Sequence, residues 1–421
     1  MKPKRTASLL RLIAFHLIVA PLNMSLVRSS SARSDTQPPP PLPEVWQVVW
    51  ADAVAVPRLR ELKHTGFDGL FKCVAFAPNY PAGPIYAGGE WRLVERVEGT
   101  YDWSSMRTCL DHARRANMWF IPELVINVPP EWFVQRHPDA LLRDSRGITA
   151  TMPSAEGGPY LLSPWFIDSG QADADLQPLI QSFLDVVADY PNVPAIMIGN
   201  WKLNVLPWKM GAIAADDFTY WPIWDQSARA DYASRFGAGA LPPATWAEYE
   251  AMPEAHRAAF RDWLTEAMER NLQTRYLPWT DSFAGWRVIN AAIWGDANSR
   301  PSVFTTMTPE MAAAKQAAIA AAGTEWIIIN DDNMGGCGLA PLQQQDIILA
   351  HSRGFRILGE RVPGVCTWQE IYTMWASFTP PADGFINIGP EDAHWVGQFR
   401  RLYGPATEPF PCRIRLPMLV R

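Results

Sequence analysis

The sequence predicts an α/β fold of the (β/α)8 barrel type, a single domain with long βα loops behind an export leader. Three observations predict it. Short β-rich runs alternate with amphipathic helical stretches. Eight such runs can be read in order. Most of them are near-continuously apolar, which suits strands buried on both faces of a parallel sheet.

The strand candidates are Val45–Trp50, Leu70–Ala75, Trp119–Val125, Ala195–Gly199, Arg287–Ile293, Trp326–Asn330, Phe355–Leu358 and Gly384–Ile388. Between them lie helices over Pro57–Thr65, Ser104–Ala116 and Leu176–Ala188. A long helical excursion follows from about Trp224 to Leu277, and then come Pro309–Ala322, Leu342–Ser352, Thr367–Ser377 and His394–Leu402. Pro near the start of the first helix and Gly66 after it are start and stop signals. Gly323 and Gly354 stop two later helices in the same way.

The N-terminus reads as an address label. Lys2, Lys4 and Arg5 give a positive start, Leu9 to Val27 is apolar, and Ser29-Ser30-Ser31-Ala32 is a small-residue cleavage site. Residues 1–32 are therefore expected to be a secretory signal, 33–43 a Pro-rich linker with Pro38 to Pro41 extended, and 44–421 the barrel. A secreted or periplasmic location follows. Contact with a membrane is expected only if the signal stays uncleaved, and Arg11, His16, Pro21 and Asn23 argue against a stable span.

Composition excludes several functions. The net charge is −6 and no long basic run follows the leader, so nucleic acid is disfavoured as a partner. The five cysteines show no CxxC spacing, and the seven histidines form no HExxH, which speaks against a zinc site. Five cysteines cannot all pair within one chain, although export permits disulfides. Trp is unusually abundant at 20 residues. Part of that number fills the core, and the rest suits a cleft of flat faces that stack on sugar rings.

In a barrel the chemistry sits at the carboxyl ends of the strands. Here those ends carry Trp50 and Asp52; Asn127 and Trp132; Asn200, Trp201, Lys202 and Asn204; Trp294 and Asp296; Asn330, Asp331 and Asp332; Glu360 and Arg361; and Asn387. Amides and carboxylates bond hydroxyl groups, and indoles stack on sugar faces. No clear phosphate-binding loop accompanies them. An oligosaccharide or polysaccharide is the ligand this set matches. Glycosidic cleavage usually needs two carboxyl groups flanking the bond. Glu360 is the best single candidate, because Gly359 before it allows close approach. The bland alternative for Glu360 is a loop carboxylate paired with Arg361. For Asp331 and Asp332 it is a helix or turn cap.

A set of motifs narrows the reading. Gly99-Thr100-Tyr101-Asp102-Trp103-Ser104 precedes a helix and the third strand. Pro130-Glu131-Trp132-Phe133 follows, then His137-Pro138-Asp139-Ala140-Leu141 with Asp144 and Gly147. This order resembles that of family 42 and related β-galactosidase-type glycoside hydrolases, which are clan A barrels. The likeness is sharpest over residues 95–205. It implies a retaining mechanism without a cofactor. It also implies an acid/base Glu after an Asn at the end of strand four, and a nucleophile Glu at the end of strand seven.

Glu360 stands in the nucleophile's place. Strand four departs from the pattern: Asn200 is followed by Trp201 and Asn204 by Val205, and no Glu lies between Glu156 and Glu248. Three explanations remain open. Asp216, Asp217, Asp296 or Asp331 supplies the acid from another loop, which is the reading favoured here. Alternatively, the barrel binds sugar without cutting it, or its substrates need no protonated leaving group. The expected site is thus Glu360, Asp216, Asp217 and Asp331 for catalysis. Trp50, Asn127, Trp132, Asn200, Trp201, Asn204, Trp294, Asp296 and Asn387 are expected to bind substrate. From a different class comes a lyase or aldolase acting through Lys202 as a Schiff base, which nothing else in the sequence supports.

Overall fold

The structure is a computed structural model describing residues 46–52, 55–75, 85–86, 89–150, 160–198, 220–290, 326–330, 351, 356–361, 379, 383–388 and 396–397. All lie in the second of two units, Leu42–Arg421; the leader and most of the linker belong to the first, Met1–Pro41, outside the described residues.

β1 (Trp46–Asp52) is followed by α1 (Val56–Thr65). Pro57 opens that helix, where its missing N–H is costless, and Val56, Leu59 and Leu62 form the buried stripe. The helix ends where Gly66 takes φ 114° and returns its N–H to the carbonyls of Leu62 and Lys63. β2 (Gly69–Ala75) and β3 (Ile85–Tyr86) come next, then α2 (Trp91–Val94) and α3 (Ser104–Arg115). α3 buries Met106, Cys109, Leu110 and Ala113, a helical spacing.

The third predicted strand is split into β4 (Trp119–Ile121) and β5 (Glu123–Leu124). Three helices follow: α4 (Glu131–Arg136), α5 (Pro164–Asp168) and α6 (Asp173–Ala188). α6 carries Asp173 and Asp175 in its first turn, on the side the helix dipole favours for anions. β6 (Ala195–Ile198) is buried throughout. The excursion resolves into α7 (Gln226–Phe236), α8 (Trp246–Ala251), α9 (Glu254–Asn271), a π-helical turn at Leu272–Tyr276, and α10 (Leu277–Trp279). β7 (Trp286–Asn290), β8 (Trp326–Asn330), β9 (Arg356–Arg361) and β10 (Gly384–Ile388) complete the sheet.

Except for β3, which runs antiparallel on β2, every ladder is parallel. The first and last strands, β1 and β10, pair with each other. The path runs β3-β2-β1-β10-β9-β8-β7-β6-β5, with β4 on β2. It is therefore not the continuous closed ring that the sequence predicts. The interruption falls at Pro122, which has no N–H to give to a ladder. β4 pairs with β2, and β5 pairs with β6. The Pro122 carbonyl still accepts the Met197 N–H at 3.0 Å.

Each of the eight predicted runs carries a strand. Some ends differ: β1 runs on to Asp52 past the expected end at Trp50, and β9, expected to stop at Leu358, continues its ladder through Gly359, Glu360 and Arg361 opposite Phe385, Ile386 and Asn387. The predicted helices at Pro309–Ala322 and Thr367–Ser377 lie outside the described residues, as do nearly all of those at Leu342–Ser352 and His394–Leu402.

The excursion builds an aromatic annex. Trp221 stacks on Trp246 with centroids 5.4 Å apart, and Trp165 stacks on Trp263 at 4.7 Å. Trp91, Trp165, Trp221 and Trp263 are fully buried, so packing takes this share of the tryptophans.

Candidate functional site

Along the carboxyl edge of the sheet the backbone gathers several expected site residues. Trp50 of β1 lies in register with Ile388 of β10, and Val49 with Asn387. Asn387 is in turn in register with Arg361 of β9, one residue beyond Glu360. Trp50, Asn387 and Glu360 thus come from three adjacent strands. Asn330 ends β8 opposite Gly359, and Asn290 ends β7 opposite Ile329. Asn290 was missed in the sequence because that strand was expected to run on to Ile293.

A second group stands at the end of strand three. Asn127 is half-buried, and its backbone carbonyl accepts the Leu162 N–H at 2.9 Å. Its side-chain Oδ1 is buried and has no hydrogen-bond partner among the described residues. Such an orphan acceptor disfavours the bare protein unless something donates to it. Trp132 is positioned differently from a free platform. Its indole N–H donates to the Glu95 carbonyl at 2.8 Å, and its ring lies edge-on to Trp91 and under the Arg136 guanidinium. Its N–H is already engaged within the protein.

Two buried carboxyl groups here escaped the sequence reading. Glu123 is 4% exposed on β5, and Glu90 is fully buried before α2, with Arg92 Nε 2.7 Å from its Oε2. The signal for Glu123 was a carboxylate inside the apolar run Phe120–Ile126. A Cβ at Gly89 would overlap the Glu123 carbonyl oxygen, so the chain crosses the strand there only as glycine.

The motifs at residues 95–147 prove to be framework. Gly99, at φ 70°, gives its N–H to Glu95 Oε1, and Trp91 donates its indole N–H to Glu95 Oε2 at 2.7 Å. Burial raises the Glu95 pKa against these two bonds, which lower it. Tyr101 is pushed up to about 12, first by burial and then by the charges of Glu95 and Asp175. Asp102 accepts the Ser104 N–H, and Trp103 ties α3 to α6 through Ser182 Oγ at 2.8 Å. His137 Nε2 sits 3.2 Å from Asp175, which also binds Arg136. Asp144 closes a turn on the N–H groups of Arg146 and Ile148.

Asp216, Asp217, Asp331, Asn200, Trp201, Asn204, Trp294, Asp296 and Lys202 lie outside the described residues. For Glu360, Trp50 and Asn387 the strand position is described.

The sheet thus carries amides and a Glu along its carboxyl edge, the edge at which (β/α) barrels place their chemistry. The likeness seen in the motifs holds: the family model described as Beta-galactosidase, of glycoside hydrolase family 42, matches residues 87–157. Among solved structures, the β-galactosidase from the psychrophilic Marinomonas ef1 aligns at 12% identity with a TM-score of 0.50, covering 85% of this chain and 59% of that one. The β-galactosidase from Bacillus circulans sp. alkalophilus aligns at 13% identity and TM-score 0.46, covering 83% and 50%. That from Rahnella sp. R3 aligns at 11% identity and 0.48, covering 82% and 50%. The chain thus spans between half and three-fifths of these proteins' lengths. No curated protein sequence matches it. The Marinomonas likeness establishes a shared fold.

Proposed function

We propose that the protein is an exported glycoside hydrolase that cleaves β-linked galactosides or plant-wall oligosaccharides with retention. The observation that carries this reading is the placement of Glu360 at the carboxyl end of β9, one register step from Asn387, in a fold shared with a β-galactosidase. Glu360 attacks the anomeric carbon and forms a glycosyl ester while an acid protonates the departing oxygen. Water, deprotonated by that same group, then releases the sugar. Asp216, Asp217 and Asp331 are the candidates for the acid, and buried Glu123 joins them. Asn127, Asn200, Asn204, Asp296 and Asn387 bond hydroxyl groups, and Trp50, Trp201 and Trp294 line the subsites. In this reading the strands close as an eight-stranded barrel, with β4 and β5 acting as one strand through Pro122.

Export is supported by the leader and by Cys109, which is disulfide-bonded, as suits an oxidising compartment. A second reading, sugar binding without hydrolysis, is favoured by Trp201 standing where the family pattern has its acid. One assay separates the two. Wild type should turn over aryl β-galactosides, and Glu360→Gln should lose about 10³-fold or more in kcat. Turnover that survives the substitution removes Glu360 as nucleophile. Saturable binding without turnover by wild type selects the second reading.

A further inference from the structure

The ladders place two acids at one level of the sheet, on opposite sides. Glu123 on β5 lies opposite Met197 of β6, and the β6–β7 ladder carried on by one residue puts Met197 opposite Val288. Val288 pairs with Ile327 and Ile327 with Arg356, so this line meets β9 four residues before Glu360. In the other direction Glu360 pairs with Ile386, Ile386 with Val48, and Val48 with Gly69. Gly69 pairs with Trp119, so that line arrives four residues before Glu123. Equal offsets both ways around make up the stagger of eight residues that a (β/α)8 barrel has, when β4 and β5 count as one strand. Glu123 and Glu360 then share one face and one level, four strands apart in either direction.

Alternate strands supply the rest of the layer. Two strands from β9 on either side, the same stagger selects Trp50 and Asn290. Barrels of this type fill their interior with such layers of four. One contact one layer lower checks the construction: the Arg356 guanidinium lies 5.9 Å from the centre of the Trp286 ring, across the intervening β8. Arg356 and Trp286 stand four residues before Glu360 and Asn290. Residues two strands apart meet on the concave side of a sheet, so this face is the interior one. Arg287, on the opposite face, reaches Thr280 just after α10 instead.

We propose that Glu123 is the acid/base of the reaction, in place of the strand-four Glu of the family pattern, where this chain has Trp201. The assignment rests on the proposed function. The layer lies at the mouth, since β7 ends at Asn290 and β9 at Arg361. The interior of an eight-stranded barrel is just wide enough for side chains to fill, so acids on opposite walls of one layer converge on the same space. Glycosidic cleavage needs two carboxyl groups flanking the bond, and this layer holds two. Glu123 gives its proton to the glycosidic oxygen as the bond from C1 to that oxygen breaks and a Glu360 oxygen bonds C1. As a carboxylate it then takes a proton from the water whose oxygen displaces Glu360 from C1.

The test uses the full chain and two galactosides that differ in leaving group. Glu123→Gln should lower kcat/KM by about 10²–10⁴-fold on methyl β-D-galactopyranoside, whose leaving oxygen must be protonated, and by less than about tenfold on the 2,4-dinitrophenyl galactoside. Sodium azide, a nucleophile that needs no base, should speed turnover of the dinitrophenyl substrate by Glu123→Ala and yield β-galactosyl azide. If Glu123→Ala shows no urea unfolding transition, the leaving-group contrast in Glu123→Gln decides alone. Equal losses on both substrates overturn the assignment and leave Glu123 a framework residue. No turnover by wild type on either substrate overturns the catalytic reading itself, and the assignment with it, so the two failures are distinguishable.

Discussion

Ser163 Oγ donates a 3.0 Å hydrogen bond to Asp225 Oδ1, so the N-cap residues of α5 and α7 are bonded to each other. The same Asp225 oxygen accepts the Ala228 N–H at 3.0 Å, while Oδ2 is buried without a partner among the described residues. This pair joins the annex to the loop that follows strand three.

Burial pushes the Asp225 carboxyl up to about 7 from an ordinary 3.8, outweighing the bonds from Ala228, Ser163 and Ser227. The folded protein therefore holds this proton more tightly than the unfolded chain does. Its contribution is fully present below about pH 4 and is lost as pH rises towards 7. Asp225→Asn should flatten that part of the stability profile. Asp225→Ala should lose a cap worth about 0.5–2 kcal/mol at every pH. Calorimetric Tm from pH 4 to 8 checks both.

Glu95 holds two donors in one buried place, Trp91 Nε1 and Gly99 N, while its carbonyl holds Trp132. Glu95→Ala should destabilise by about 1–3 kcal/mol through the orphaned buried indole donor of Trp91, and Glu95→Gln should recover part of the loss. Urea unfolding midpoints measure it.

Gly89 abuts the Glu123 carbonyl, so Gly89→Ala must move backbone rather than a side chain. A loss of about 1–3 kcal/mol is expected in the same urea series, together with lower activity, since the displaced strand carries Glu123 towards Asn127. Unaltered stability would show that the strand yields.

Asn127 offers a buried acceptor with no partner among the described residues. If it meets substrate, Asn127→Ala should lower kcat/KM by about tenfold and leave the unfolding midpoint within error. A change in stability alone would make it a framework residue.

The strand order was legible because parallel strands buried on both faces read as apolar runs, as in Ala195–Ile198. α1 was legible because Pro57 and Gly66 mark both its ends. The end of β9 was not, because Gly359 and the charged pair Glu360 and Arg361 look like a loop, and only the ladder with β10 shows them as strand. The break at Pro122 needed strand partners on both sides to be seen. Among site residues, strand-end position was readable from the sequence and engagement was not. Trp132 looks like a free platform until its N–H is found on Glu95. Glu123 and Glu90 look like ordinary acids until their burial is known.

The most direct measurement is covalent trapping. Incubation with an activated 2-deoxy-2-fluoro-β-galactoside, followed by proteolysis and mass spectrometry, should find the fluorosugar on Glu360. Label on another carboxylate, or neither label nor turnover, would contradict Glu360 as the nucleophile of a retaining glycosidase.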